Sequence, residues 1–259
     1  MTSEKKTIVG CTLGMSVVCL TALVCIVTPS IHRKLFRRNV GERHYVFVDR
    51  LAGKPYSKGN YNGIDVSKHQ GVIKWQEVAK DRKIEFVYIR ATMGKNHVDA
   101  LYRRNIKDAR LAGLKVGSYH FLTSKYSVTE QFDDFLSTVK PSEQDLLPMV
   151  AVEDGWIKGW SKEQLRDSLM KFSRLVEKHY GRKPMIYSNE SFYNAYLAPC
   201  FNDYILYVAN YRSKPKINGG GRHSLWQYSE RGHIRGIGEY VDLCRFNEGV
   251  KMDDIMLRK

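Results

Sequence analysis

Three acidic residues lie at or near the ends of short apolar runs that are typical of buried strands. Asp65 stands in GIDVS, Glu153 follows MVAV, and Asp242 stands in YVDLC. Parallel barrels place functional groups at the carboxyl ends of their strands. A carboxyl group in a partly dry pocket has a raised pKa and can protonate a glycosidic oxygen, while a second carboxylate nearby stays ionised. These acids are therefore the candidate catalytic residues; alternatively, they cap helices or pair with bases inside the fold.

Side-chain alternation predicts where the middle acid points. In MVAVE, Ala151 and Glu153 share one face of a strand, whereas Val150 and Val152 take the other. If the valines pack against helices, the Glu153 carboxyl group points into the barrel.

Aromatic and polar side chains near the ends of other predicted strands favour a sugar-binding site. Flat rings with polar tips suit the faces of pyranose rings. Phe121 and Tyr207 are expected to fill the core instead, and His120 to be a structural hydrogen-bonding partner. The candidate substrate-binding residues are Tyr119, Tyr187, Tyr211, Trp226, Gln227 and Arg90.

Other kinds of chemistry have no motif in this sequence. We find no HExxH, no Walker loop and no catalytic serine or cysteine constellation. Three of the five cysteines lie before residue 26, which leaves Cys200 and Cys244, whose pairing stays open. The sequence therefore predicts neither a metal nor a cofactor.

The elements that must position these residues alternate between strands and helices. Strands are predicted over residues 63–66, 86–91, 116–121, 149–153, 185–187, 205–209, 224–228 and 240–243. Helices are predicted over residues 75–81, 101–112, 128–139, 162–180 and 191–197. Ser161 and Gln164 form a capping box at one helix start, and Gly113 and Gly181 follow helix ends.

This order predicts an α/β fold: an irregular parallel (β/α) TIM-like barrel that is poor in helices in its last third. An open doubly wound sheet is the alternative, although no glycine-rich loop follows the first strand. The predicted boundaries are residues 1–31 for a membrane anchor or signal segment, 32–58 for a polar basic linker, and 59–259 for the barrel domain.

The amino-terminal segment is predicted to be a transmembrane helix. No charged residue occurs from Thr7 to Thr28, and at about 1.5 Å per residue this stretch crosses about 30 Å of hydrocarbon. It exceeds a usual signal-peptide core and no Ala-x-Ala site follows, so an uncleaved single-pass anchor is favoured over a cleaved signal.

The charge balance points to an anionic partner. The chain has 42 Lys and Arg against 27 Asp and Glu, a net charge of +15. Residues 1–45 hold seven of these bases and two acids, which suits contact with anionic lipid head groups. The carboxyl flank of the apolar segment is the more basic one, which by the positive-inside rule favours a cytoplasmic domain. No basic block interleaved with aromatics follows, so no nucleic-acid binding is predicted.

Taken together, the motifs resemble glycoside hydrolase family 25, the lysozymes of the Chalaropsis type. The resemblance spans residues 61–247 and is carried by GIDVSKHQG, FVYIRATMG, AGLKVGSYHF, LPMVAVE, YGRKPMIYSN, LYVANY, LWQYS and VDLCRFN. It implies a barrel enzyme that cleaves the β-1,4 bond between N-acetylmuramic acid and N-acetylglucosamine, without metal or cofactor. By motif, Glu153 matches the general acid, and Asp65 and Asp242 match two supporting acids.

One position departs from the family pattern. The fourth-strand motif is usually Asp-x-Glu, and here Ala151 replaces the aspartate. In the family this aspartate is associated with orienting the 2-acetamido group of the substrate or stabilising the oxocarbenium ion. Asp154 does not replace it on a regular strand, because it lies one residue beyond Glu153 and faces the other way.

The resulting hypothesis is a membrane-anchored, monomeric muramidase that acts on peptidoglycan outside the cytoplasm. One alternative is a catalytically weak or silent glycan-binding relative, which the alanine supports. Another is a membrane-tethered cytoplasmic protein, which the basic flank supports.

Overall fold

Eight short runs of mainly apolar residues form a closed barrel in the computed structural model, which describes residues 45–258. The strands follow one another around the barrel in chain order. Their bounds are β1 (Gly63–Val66), β2 (Phe86–Met93), β3 (Lys115–Phe121), β4 (Met149–Ala151), β5 (Met185–Asn189), β6 (Leu206–Ala209), β7 (Leu225–Gly232) and β8 (Val241–Phe246).

The closing strand corrects the prediction of a parallel barrel. Strands β1 to β7 pair in parallel, but β8 is antiparallel to both β7 and β1. The connection from Gly232 to Val241 is shorter than the roughly dozen residues that a parallel crossover needs, so the chain returns as a hairpin. The carboxyl end of β8 therefore lies with the amino ends of the other strands.

Helices occupy most of the connections before β6. They are α1 (Trp75–Val78), α2 (Tyr102–Leu111), α3 (Val128–Thr138), α4 (Lys162–Tyr180) and α5 (Glu190–Phe192), which continues into a π-helical turn (Tyr193–Leu197). In the described chain beyond this turn, the only α-helix is α6 (Met252–Ile255). The predicted scarcity of helices in the last third is confirmed.

The longest helix begins and ends as its sequence predicts. The hydroxyl group of Ser161 accepts from the backbone N–H of Gln164, and the Gln164 side chain accepts from the N–H of Ser161. At the other end Gly181 adopts φ +78°, a left-handed conformation that side chains disfavour.

Alternation along the strands separates two apolar layers. Phe86, Tyr88, Met149, Met185 and Tyr207 belong to a cluster that fills the barrel, together with side chains of β7 and β8. The intervening residues belong to the larger cluster between the barrel and its helices; among them are Val87, Ile89, Val150, Val152 and Ile186. The predicted outward direction of the two valines of MVAVE is therefore confirmed.

The polar residues before the barrel pack against it where they are described. The backbone N–H of Arg50 donates to the carbonyl group of Gly238, and that of Ser57 donates to His233, each over 2.8 Å. The predicted membrane segment, residues 1–31, lies outside the described residues. Within residues 45–258, no helix has the length and apolarity needed to cross a bilayer. Cys200 is an exposed free thiol and Cys244 a buried one.

Candidate active site

Two of the predicted acids face each other where the barrel closes. Asp65 on β1 is paired in register with Asp242 on β8, and their carboxyl groups are hydrogen-bonded to each other. Asp65 is buried and Asp242 is half-buried. The antiparallel return of β8 thus places two carboxyl groups at one point of the barrel mouth.

Two further strands supply donors to the first of these acids. The hydroxyl group of Tyr207, on β6, donates to Oδ2 of Asp65 over 2.7 Å. The side-chain amide Nε2 of Gln227, on β7, donates to the same oxygen over 2.8 Å. Four adjacent strands, β6, β7, β8 and β1, therefore hold one carboxylate in place.

The two acids differ in where the proton lies. Burial and the neighbouring charge of Asp65 raise the pKa of Asp242 to about 9. Burial also raises the pKa of Asp65, but the hydrogen bonds from Tyr207, Gln227 and Asp242 lower it. The donors Tyr207 and Gln227 favour the charged form of Asp65, and that charge in turn favours a protonated Asp242.

Gln227 is oriented by its other hydrogen bonds. Its Oε1 atom accepts from the hydroxyl group of Tyr187 over 2.9 Å and from that of Tyr211 over 2.8 Å. With the amide oxygen occupied by two phenols, the amide nitrogen must point toward Asp65.

Glu153 lies two residues after the end of β4, on the inner side. The strand ends at Ala151, two residues earlier than predicted, because Glu153 begins the 3₁₀ turn Asp154–Trp156. Its backbone remains extended, so it keeps the inward direction of Ala151. Burial raises the pKa of Glu153, the nearby hydroxyl group of Tyr187 lowers it, and the charge of Asp65 raises it. The net effect favours the protonated acid.

The three acids line one cavity of about 220 Å³ at the barrel mouth. Arg90, Tyr119, Tyr187 and Ala151 share its wall, together with Ser67, His69, Gln70 and Phe121. The site can therefore offer a neutral carboxylic acid, a buried carboxylate and aromatic surface to one ligand. Among residues 45–258, no group of three His, Cys, Asp or Glu side chains is arranged to hold a metal ion.

Arg90 is already paired within the protein. Its Nε and Nη2 atoms lie 3.1 and 3.0 Å from Oδ2 of Asp99, a buried carboxylate that also accepts from the backbone N–H of Lys68. Arg90 therefore does not pair with the catalytic acids, which was the alternative to a catalytic role for them. Its guanidinium group is fixed at the edge of the cavity by Asp99.

Three of the six substrate-binding candidates, Tyr211, Trp226 and Gln227, do not line this cavity. Tyr211 and Gln227 belong to the hydrogen-bond network of Asp65, whereas Trp226 lies apart from it. Gln227 points into the barrel, so its neighbour on β7 points outward. The Trp226 indole Nε1 donates to the carbonyl group of Asn210 over 2.7 Å, and the ring packs under the guanidinium group of Arg245. The prediction that Trp226 and Gln227 share one sugar site conflicts with this alternation, because neighbours on a strand face opposite ways.

Sequence reasoning also assigned Tyr207 to the core alone. The ring is buried inside the barrel, but its hydroxyl group reaches Asp65. It is the second residue of β6 and lies opposite Tyr187 in register, a pairing that the sequence does not show. His120 is structural as predicted: it is buried, Nδ1 lies 2.8 Å from the Thr92 hydroxyl group, and burial lowers its pKa to about 3.

Comparison with known proteins identifies the family of this chain. The sequence profile of glycosyl hydrolases family 25 matches residues 64–237. The chain is 34% identical to the uncharacterized protein YegX of Escherichia coli O6:H1, over 97% of this chain and 94% of that protein. It is 33% identical to the autolytic lysozyme of Clostridium acetobutylicum, over 73% of this chain and 56% of that protein. The crystal structure of a bacterial lysozyme from Streptomyces coelicolor superimposes with a TM-score of 0.67 at 29% identity, over 76% of this chain and 96% of that one.

Proposed function

This chain belongs to glycosyl hydrolases family 25 and is a glycosidase, and we propose that it is a muramidase of peptidoglycan. The bond that it cleaves in this proposal is the β-1,4 linkage between N-acetylmuramic acid and N-acetylglucosamine. One observation carries the proposal: an inward carboxyl group with a raised pKa lines the same cavity as a buried carboxylate. Glycoside hydrolysis needs that division between two carboxyl groups.

Glu153 acts as the general acid. Its raised pKa keeps it protonated in the pH range where an exposed glutamate has lost its proton. The proton passes to the glycosidic oxygen as the bond to the anomeric carbon breaks. The anomeric carbon is then attacked either directly by water or by the acetamido oxygen of the substrate, and in the second route water opens the cyclic intermediate in a later step. Either route ends in hydrolysis, and the proton that the water loses can return to the carboxylate of Glu153.

Asp65 supplies the negative charge that the reaction needs. The ring of the substrate becomes an oxocarbenium-like cation as the bond breaks, and a fixed carboxylate stabilises it without reorganising. Asp242 has a different task, because it carries the proton of the pair at neutral pH. It donates to Asp65 and, with Tyr207 and Gln227, fixes that carboxylate in position.

We propose that the enzyme is slow, because Ala151 stands where the family motif usually has an aspartate. The residue lines the cavity beside Glu153. Loss of one electrostatic stabiliser costs about 3–4 kcal/mol, or about 10²–10³ in rate. The same observation favours a second candidate, a glycan-binding relative without turnover. Retention of Glu153, Asp65 and Asp242 in one cavity favours the enzyme.

We further propose that the stretch from Thr7 to Thr28 anchors the chain in a membrane, as a monomer with the barrel outside the cytoplasm. The apolar length supports the anchor, and a wall substrate supports the location. The basic flank after the segment argues for the opposite orientation. A reporter fused after Lys259 that is active only outside the cytoplasm tests the orientation; we expect activity, and an inactive reporter with a stable fusion would refute the external location.

The enzymatic proposal is tested by incubating the full-length chain, in detergent, with purified peptidoglycan. Soluble muropeptides are expected from the wild-type chain and not from Glu153→Gln. If both release the same amount, the hydrolysis does not come from this site. If neither releases any while both bind peptidoglycan, the glycan-binding candidate replaces the enzyme.

A further inference from the structure

A second and larger cavity lies at the opposite end of the barrel. Its volume is about 570 Å³, and it shares no lining residue with the cavity of the three acids. Tyr61 and Asn62 line it just before β1, His223 just before β7, and Asn247 just after β8. Because β8 runs antiparallel, all four positions lie at the end away from Glu153.

Trp226 forms one wall of this cavity. It faces Arg245 in the register of β7 with β8, and the guanidinium carbon lies 4.2 Å from the centroid of the indole ring. The same guanidinium carbon lies 5.2 Å from the ring centroid of Tyr228. The guanidinium group of Arg245 covers one face of the indole ring, so a ligand in this cavity meets a cation next to the part of the ring that stays exposed. That combination suits a sugar that carries a negative group.

The cavity has more cations than acids. Lys83, Lys214 and Arg245 line it, and within residues 45–258 none of the three is in an ion pair. The acids on its wall are Glu85, which accepts from Nδ2 of Asn62 over 3.1 Å, and the exposed Glu248. The free cations suit carboxylate groups on a ligand.

Its wall also holds hydrogen-bonding groups that other protein groups leave unused. His223 and Asn247 are 4% and 7% exposed, and in the described part of the chain Nε2 of the former and Oδ1 of the latter have no partner. Polar groups at this depth are normally satisfied. A ligand rich in hydroxyl and amide groups fits this wall better than an apolar one.

We infer that this cavity is a second binding site for the carboxylate-bearing amino-sugar strand of peptidoglycan, an inference that rests on the proposed substrate. An N-acetylated ring packs against the exposed part of Trp226, and Arg245 and Lys214 bind carboxylates of the lactyl group or stem peptide. The chain then holds the polymer at two places, of which the acidic cavity alone performs hydrolysis.

The test uses the full-length chain in detergent with Glu153→Gln, so that bound polymer stays intact. The double variant Lys214→Gln with Arg245→Gln removes two cations of the cavity. The matched control, Lys171→Gln with Arg174→Gln, removes two exposed cations of α4 that line neither cavity. Binding to purified peptidoglycan is measured by sedimentation at fixed ionic strength.

We expect the cavity variant to bind peptidoglycan about threefold to tenfold more weakly than the Glu153→Gln parent, and the control pair to bind as the parent does. In chains that retain Glu153, turnover of a short soluble muropeptide is expected to be the same with and without the cavity substitutions. Equal losses in both pairs, or no loss in the cavity variant, would overturn the inference.

Two soluble probes test the chemistry of the ligand. One is a peptidoglycan tetrasaccharide with stem peptides, and the other is chitotetraose, which has acetamido groups but no carboxylates. The cavity substitutions are expected to weaken binding of the first and leave the second unchanged; equal effects on both would overturn the assignment of a carboxylated ligand. Sedimentation measures binding without turnover, so the two proposals can fail separately. If the wild-type chain hydrolyses no peptidoglycan but the cavity substitutions still weaken binding, the proposed function is refuted and the second site is upheld.

Discussion

Asp242 lies opposite Asp65 in the antiparallel pairing of β8 with β1, and burial beside the charge of Asp65 raises the pKa of Asp242 to about 9. The pairing exists because β8 returns as a hairpin. A parallel eighth strand would present its residues in the reverse direction and with a different register. The antiparallel closure of the barrel is therefore what brings the two carboxyl groups together and sets their protonation.

Stability is expected to fall with rising pH because of this pair. The pKa of Asp242 is about 9 in the folded chain and near the ordinary aspartate value when unfolded. Between about pH 4 and pH 9 the folded state therefore binds more protons, so the free energy of unfolding decreases across this window. Asp242→Asn removes the titration and is expected to raise the free energy of unfolding at pH 8 by at least about 1.4 kcal/mol. Urea unfolding at pH 5 and pH 8 measures it; a wild-type dependence that the variant retains would contradict the assignment.

The two aspartates are expected to differ in their importance for turnover. Asp65→Asn removes the carboxylate that faces the developing cation, and kcat is expected to fall by about 10²-fold or more. Asp242→Asn keeps a neutral donor toward Asp65, so its kcat is expected to stay within about tenfold of wild type, which is no more than the loss of one neutral hydrogen bond would cost. Steady-state release of muropeptides at pH 6 compares them. If kcat falls equally in Asp65→Asn and Asp242→Asn, the assignment of the proton to Asp242 is wrong.

Tyr207 is expected to act through Asp65. Tyr207→Phe removes one of its donors, so the pKa of Asp65 rises and the acidic limb of the pH–rate profile moves to higher pH. Tyr88→Phe is the matched control, because this buried tyrosine donates to the carbonyl group of Leu147 instead. A profile that shifts in both variants, or in neither, would remove the positioning role.

Ala151→Asp tests whether the missing aspartate limits the rate. If it does, kcat is expected to rise by about 10²-fold, the usual value of one electrostatic stabiliser. Ala151→Asn has nearly the same volume without the charge and serves as the control. Thermal unfolding of both variants is recorded alongside, since a new carboxylate lies near Glu153 in the cavity. An unchanged rate in a folded Ala151→Asp chain would eliminate this explanation.

Much of the fold follows from sequence patterns, and the exceptions have local physical causes. All eight strands occur in the predicted order because apolar runs of β-branched and aromatic residues are buried on both faces of such a barrel. The direction of β8 was missed because strand patterns carry no direction; the short connection after Gly232 contained that information. β4 ends early because the turn at Asp154 competes with the strand for Glu153.

The candidate site was predictable in its acids and less so in its supporting residues. Alternation placed Glu153 inward because its neighbours are valines. The same rule, applied to LWQYS, separates Trp226 from Gln227, and that separation decides which of the two faces Asp65. Tyr207 escaped notice because a tyrosine in an apolar strand packs in the core whether or not its hydroxyl group has a partner. The raised pKa of Asp242 was not predictable, because it depends on a contact with Asp65, which lies far away in the chain.

The most direct test of the account is the identity of the sugar at each new reducing end. Purified peptidoglycan is incubated with the wild-type chain, with Glu153→Gln, and with Glu177→Gln as a matched control on the exposed side of α4, and the fragments are reduced and analysed by mass spectrometry. We predict N-acetylmuramic acid at the new reducing ends from the wild-type and Glu177→Gln chains, and none above background from Glu153→Gln. New ends that carry N-acetylglucosamine, or undiminished release by Glu153→Gln, would contradict a muramidase in which Glu153 is the general acid.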